Sequence, residues 1–408
     1  MSEENNEDFN NLENYELQNN SIRCNKTKIV LLAIILPLSF ILITGIIFYY
    51  FILRKNKCKL GFKLVDGKCE ENYSFKAEYF VNQDNKLINL IYYTYLDNII
   101  ELIIDNKRIY EPCTNYTFNS KGFHTAYFLL NISNLTSVES MFKYNSEMTS
   151  IQFSSLFNTE NITDMSYMFS STRLLASIDV SNFNTENVKY MTYMFYGMNL
   201  LRSIDVSNFK IQNLIDISSM FSYCINLTSI NLPTLNATNL VRNKEMFYEC
   251  NKLKSVDLSN FNAPNLKDMK SMFAYCNSLE YVNFTGFNAP YIEDMFYVFG
   301  RCHSLKSVDL SSLKSNGTIL SLYAIFYDCT SLTYINLCNI KTKDSDALSY
   351  MIDFCPNLTY IDISSFEGRF NSSGRNELPP NGTIVIKSEF LKLIRKEIPK
   401  DWVIKYAD

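Results

Sequence analysis

Residues 246–271 read MFYECNKLKSVDLSNFNAPNLKDMKS, and nearly the same line is written again on either side of them. The Met-Phe dipeptide or a variant of it begins at Met141, Met168, Met194, Met220, Met246, Met272, Val298, Ile325 and Met351, at steps of 26 or 27 residues. Such regularity marks an array in which each coil leaves an apolar face that only its neighbours can cover. The first half of each unit carries L-x-x-V-x-L, as in Leu253, Val256 and Leu258 or Leu175, Ile178 and Val180. Its last two members alternate with polar residues, the period of a short strand. The second half spaces Leu266, Met269, Met272 and Phe273 by threes and fours, which is helical or 3₁₀ spacing. These periods predict an α/β repeat solenoid, a stack of about nine coils with parallel strands, over residues 130–366.

The line L-A-S-I-D-V-S-N-F-N-T-E-N-V from Leu175 to Val188, followed by Met194-Phe195 and later by C-x-x-L, resembles the BspA-like leucine-rich-repeat surface proteins. Phe183 and Phe209 stand where the general leucine-rich repeat has Asn or Cys, and Asn145, Thr172 and Met198 replace the repeat cysteine in the early coils. The resemblance implies a surface protein engaged in adhesion and in host or matrix binding. It implies nothing about which ligand is bound.

Eight of the eleven cysteines fall into two groups. Cys224, Cys250, Cys276, Cys302, Cys329 and Cys355 recur with the repeat, which predicts a column of small apolar side chains without disulfides. Cys58 and Cys69 bracket a short Gly-containing loop and form a candidate disulfide, the sign of an oxidising compartment. No second close pair or histidine cluster accompanies them to make a metal site.

Ile29 to Leu53 is an uncharged apolar run of 25 residues. It is long enough to cross a bilayer with a modest tilt, and it lacks the short core and small-residue cleavage site of a signal peptide. Orientation is contested. Three basic residues precede the run (Arg23, Lys26, Lys28) and six follow it (Arg54, Lys55, Lys57, Lys59, Lys63, Lys68), which favours a cytosolic C-terminal portion. Candidate N-glycosylation sites at Asn72, Asn115, Asn131, Asn134, Asn161, Asn226, Asn236, Asn283, Asn316, Asn357, Asn371 and Asn381 favour the opposite placement. The candidate disulfide tips the reading to a single-pass membrane protein, in the plasma membrane, with the repeats outside.

The remaining segments complete the plan. Residues 1–28 read as a disordered acidic tail, 29–53 as the transmembrane helix and 54–70 as a juxtamembrane Cys loop. Strand-like runs at 71–129 predict a β-rich N-terminal cap. A turn-strand pattern, a helix over 389–397 capped by Ser388 and a last strand around Trp402 predict an α/β C-terminal cap at 367–408.

Composition narrows the function. A net charge of −4 over 408 residues argues against nucleic-acid binding, and two histidines leave little for histidine chemistry. Motifs of nucleophilic, zinc and phosphate-transfer enzymes are missing, so neither catalysis nor a cofactor nor a metal is expected. What stands out is an outward column on the strands: Gln152 at the start, then Asp179, Asp205, Asn231, Asp257, Asn283, Asp309, Asn336 and Asp362. It suits an extracellular basic protein or a glycan partner bound through the strand face. It equally suits a solvated ladder in a membrane-tethered cytosolic scaffold or a structural coat component. The oligomeric state is not legible.

Overall fold

The computed structural model describes residues 58–59, 61–65, 68–233, 236–313, 319–342, 350–366, 378–395 and 398–407. The acidic tail and the apolar run Ile29–Leu53 lie outside them, as do the sequons at Asn316 and Asn371. Among the described residues no helix is long and apolar enough to cross a membrane.

The chain divides into two compact units. Of the first, the described part centres on the bridge Cys58–Cys69, whose Cα atoms are 5.5 Å apart. Two short strands, Phe62–Val65 and Lys68–Glu71, pair with each other along the loop that the bridge closes.

The second unit begins with an antiparallel sheet in which Phe75–Val81 lies between Gly122–Leu130 and Met148–Phe153. Strands Ile99–Ile104 and Lys107–Ile109 extend it beyond Gly122–Leu130. Alternation decides which face packs: Phe75, Ala77, Tyr79 and Val81 are buried. Phe75 lies 4.9 Å, edge to face, from Phe142 of the first coil, so the sheet closes the end of the stack.

Beyond it the chain winds as a β-solenoid. Seven three-residue strands from Ser203–Asp205 to Tyr360–Asp362 succeed one another, with six turns of chain between the first and the last. Where pairing is formed it is parallel and in register, Ser203 with Ser229 and Asp205 with Asn231. Ser307–Asp309, Tyr334–Asn336 and Tyr360–Asp362 continue into Thr383–Ile386 and Val403–Tyr406, a five-stranded parallel sheet. The turn segment containing Met-Phe recurs nine times, but ordered strands run through only six turns, so the expected nine-coil strand ladder is shortened.

The expected α/β character is also corrected. The second half of each coil is a chain of turns, and the described residues hold one short α-helix, Ser388–Ile394, and one 3₁₀ helix, Tyr93–Asn98. Helix Ser388–Ile394 has Lys387 at its cap position, one residue before the expected Ser388. The cause of the turn structure is visible in the backbone hydrogen bonds around Met272. Met272, Ala274 and Cys276 donate three residues back, to Met269, Ser271 and Phe273. Ser271, Phe273 and Tyr275 donate instead to Phe296, Val298 and Gly300 of the next coil. Alternate N–H groups are thus taken by the neighbour, which an α-helix could not permit. Two residues per turn segment make this possible by adopting positive φ, here Ser271 at 53° and Tyr275 at 62°.

Side chains align accordingly. Phe142, Phe169, Phe195, Phe221, Phe247, Phe273, Phe299 and Phe326 stack with ring centroids 5.3–5.8 Å apart and are all buried. The abundance of asparagine also finds its reason here. Asn187, Asn213, Asn239 and Asn265 each donate from Nδ2 to a carbonyl 27 residues back, at 2.7–2.9 Å, and so tie successive coils together. At the far end Trp402 is buried and donates from Nε1 to the Pro379 carbonyl, sealing the last turn.

Candidate functional site

Asp205, Asn231, Asp257, Asn283, Asp309, Asn336 and Asp362 sit at the last position of their strands, where the chain bends, whereas Gln152 is inside strand Met148–Phe153 and Asp179, expected on a strand, lies in none, its coil having formed only the bend. One carboxylate oxygen of Asp179, Asp205, Asp257, Asp309 and Asp362 accepts the backbone N–H two residues on, at 2.8–2.9 Å. Asn283 and Asn336 do the same from Oδ1 at 3.1 Å. These are Asx turns, for which Asp and Asn serve equally, and this explains why the column mixes the two. The second oxygen of each Asp is left for other partners, and Asp205 Oδ2 accepts from Asn231 Nδ2 at 3.3 Å. Asp179, Asp205, Asp257 and Asp309 are exposed. The hydroxyl and then the amide of the Ser181 and Ser207 bends hold Asp179 and Asp205 below the usual carboxylate range. At Asp257 the Ser259 amide has that effect first. Carboxylates therefore recur along the strand face on every second strand, at Asp205, Asp257, Asp309 and Asp362, with Asn231, Asn283 and Asn336 between them.

Asn231 breaks the pattern, because the residue two positions on is Pro233 and carries no N–H. At this coil the strand face opens into a recess of about 630 Å³ lined by Asn231, Pro233, Asn236, Asp257, Ser259, Asn260 and Asn262. Amide side chains border it, and Asn262 Nδ2 donates to Asn236 Oδ1 at 2.8 Å. Further along the face Tyr334 and Tyr360 stack at 4.7 Å, while Tyr281 is exposed.

The turn face, opposite in character, was not singled out by the sequence. It carries a row of half-exposed rings in which Tyr167, Tyr193, Tyr196, Tyr223, Tyr248, Tyr275, Tyr297, Tyr327 and Phe354 follow at centroid distances of 4.7–6.0 Å. Lys143 Nζ lies 3.9 Å from the Tyr167 centroid at one end. Tyrosines recurring near the Met-Phe pairs were the available signal, hidden because helical spacing made the segment look like packing alone. Beneath the row the six repeat cysteines are buried and free. Each donates from Sγ to the carbonyl of the preceding coil's Phe at 3.0–3.2 Å.

The sequons serve several ends. Asn161, Asn226 and Asn357 donate from Nδ2 to a carbonyl of the preceding coil, so their amides work as rungs. Asn236 accepts the bond from Asn262, and Asn283 forms an Asx turn. Asn115, Asn131, Asn134 and Asn381 are exposed, and Asn72 is half-buried.

Stacked coils of strand, bend and turn, with one regular polar face, define a β-solenoid repeat protein. A family model described as Mycoplasma protein of unknown function, DUF285, matches residues 113–232, 199–312 and 241–366, and the chain belongs to that family. No curated protein matches it. Among solved structures it is similar to a leucine-rich cell surface protein from Faecalibacterium prausnitzii A2-165, at 15% identity and a TM-score of 0.27, covering 60% of this chain and 83% of that one.

Proposed function

We propose that the protein is a membrane-anchored cell-surface recognition or adhesion protein whose solenoid binds a basic protein or a glycan along its strand face. The observation that carries this reading is the row of exposed carboxylates at Asp179, Asp205, Asp257 and Asp309, each held ready by its own bend. A side chain fixed at one oxygen and open at the other gives up little freedom on binding. The Pro233 recess adds a concavity on this face large enough to seat a partner's side chain. The apolar run Ile29–Leu53 supplies the anchor, and the Cys58–Cys69 bridge suits an oxidising exterior.

The test is adhesion of cells displaying the full chain to immobilised basic and acidic matrix proteins. Asp205, Asp257 and Asp309 changed together to Asn should abolish adhesion to the basic surfaces while preserving the Asx turns. Adhesion unchanged in that variant removes the strand face from the reading. A second reading, a cytosol-facing membrane scaffold, is favoured by the six basic residues that follow the apolar run. Endoglycosidase digestion of the protein from a glycosylating host separates the two, since only the outward placement gives a mobility shift.

A further inference from the structure

The strand column is interrupted at one coil, and three departures from the repeat coincide there. Pro233 stands where Ser207 and Ser259 stand in the coils on either side. It has no N–H to offer, so Asn231 Oδ1 lacks the turn bond that its counterparts make. Strands Ser229–Asn231 and Ser255–Asp257 do not pair with each other, although each pairs with its other neighbour. Leu232 makes no bond to the Asp257 carbonyl, whereas Val206, Leu258, Leu310 and Leu337 each make that bond to the next coil at 2.9–3.0 Å. The coils part at this seam, and the recess of about 630 Å³ is lined by residues of both.

Open side-chain acceptors from two coils meet in this recess. Asn231 is exposed, and its amide is pinned by donation from Nδ2 to Asp205 Oδ2 at 3.3 Å. Its Oδ1 accepts from nothing among the described residues. Asp257, one coil on, gives one carboxylate oxygen to the Ser259 N–H at 2.9 Å and keeps the other. Asn262 has already spent its Nδ2 on Asn236 Oδ1 at 2.8 Å. Among the described residues that line the recess none is basic, and Asp257 carries the charge. An anionic ligand would be repelled there. A guanidinium brings five N–H donors and no acceptor. Its planar fork serves two acceptors together, whereas a lysine ammonium is a compact point charge held more tightly by water.

We propose that the Pro233 recess is an arginine pocket, in which Asn231 Oδ1 and the open Asp257 oxygen receive one arginine side chain of the basic partner. The proposal rests on the strand-face reading above and adds the point at which the partner's register on the solenoid is fixed. Further along the face Asn283 and Asn336 have their Oδ1 atoms engaged in turn bonds, so no second acceptor stands open beside the Asp.

Fluorescence anisotropy on the full chain in detergent micelles tests it, with dye-labelled tetraarginine and tetralysine as probes of equal charge. The wild type should bind tetraarginine at least about fivefold tighter than tetralysine, the effect of one further hydrogen bond to a charged group. Pro233→Ser restores the N–H that closes the turn on Asn231 Oδ1, as Ser207 does on Asp205, and leaves the charge of the face unchanged. It should remove the preference while tetralysine binds as before. Asn231→Ala deletes the acceptor by a second route and should do the same, and melting temperatures check that both variants fold. Equal binding of the two peptides by the wild type, or a preference that survives in either variant, would overturn the arginine pocket and leave the strand-face reading standing. Binding of neither peptide would overturn both.

Discussion

Cys276 Sγ donates to the carbonyl oxygen of Phe247, 3.0 Å away and one coil back, and the same oxygen accepts the Cys250 N–H at 3.1 Å. A thiol is therefore a working link between coils and not only a space-filler. Burial pushes the Cys224 and Cys355 thiols up to about 12. Maleimide labelling mapped by mass spectrometry should leave the six column thiols untouched in the native protein. Among the described free thiols the half-buried Cys113 and Cys338 should label first. Column labelling at the rate of Cys113 would contradict the buried, protonated column.

The same burial sets an alkaline limit. A thiol whose folded pKa lies above its unfolded value of about 9 favours folding fully below that value, and the contribution is lost as pH rises towards the folded value. For Cys224 and Cys355 the window is therefore about pH 9 to about 12. Each thiol steepens the fall by about 1.4 kcal/mol per pH unit. Urea unfolding between pH 8 and pH 11 should show a shallower decline for Cys224→Ala than for the wild type.

Inside and outside are separable by two substitutions in one coil. Phe247→Ala removes a buried ring stacked between Phe221 and Phe273 and should cost about 3–5 kcal/mol. Asp257→Ser keeps an oxygen able to accept the Ser259 N–H and should cost well under about 1 kcal/mol. Equal losses on chemical denaturation would mean that the coil is assigned the wrong way round.

Positive φ makes a third contrast. Ser171 holds 63°, and Gly197 occupies the equivalent place one coil later at 66°. Ser171→Gly should stabilise by about 0.5–1 kcal/mol, and Gly197→Ala should destabilise by about 1 kcal/mol. Scanning calorimetry on the two variants reads the signs directly.

Much of this architecture was legible because apolar residues at a fixed period can only be a shared core. Leu253, Val256, Leu258, Met272 and Phe273 all take the buried places that their pattern required. The turn segment misled because steps of three and four fit a helix and a chain of turns alike. Only φ at Ser271 and Tyr275 separates them, and neither position carries the glycine that would have announced it. At the strand face the outward column could be read from alternation, whereas its Asx turns were written in the two-residue step from Asp257 to Ser259. A recess between cap and first coil was beyond reach, since Tyr93 and Tyr144 come from stretches that share no pattern and line one cavity only when the cap closes on the first coil.

Recognition through the ionised strand face is the central claim, and carboxylate footprinting tests it most directly. Asp205, Asp257 and Asp309 of the full chain are modified with carbodiimide and glycine ethyl ester, with and without an oligolysine peptide as basic partner, at low and at physiological salt. Bound peptide should protect these three carboxylates, and salt should weaken the protection because exposed charges are screened over about 8–10 Å. Equal modification of all three with and without bound peptide would contradict the account.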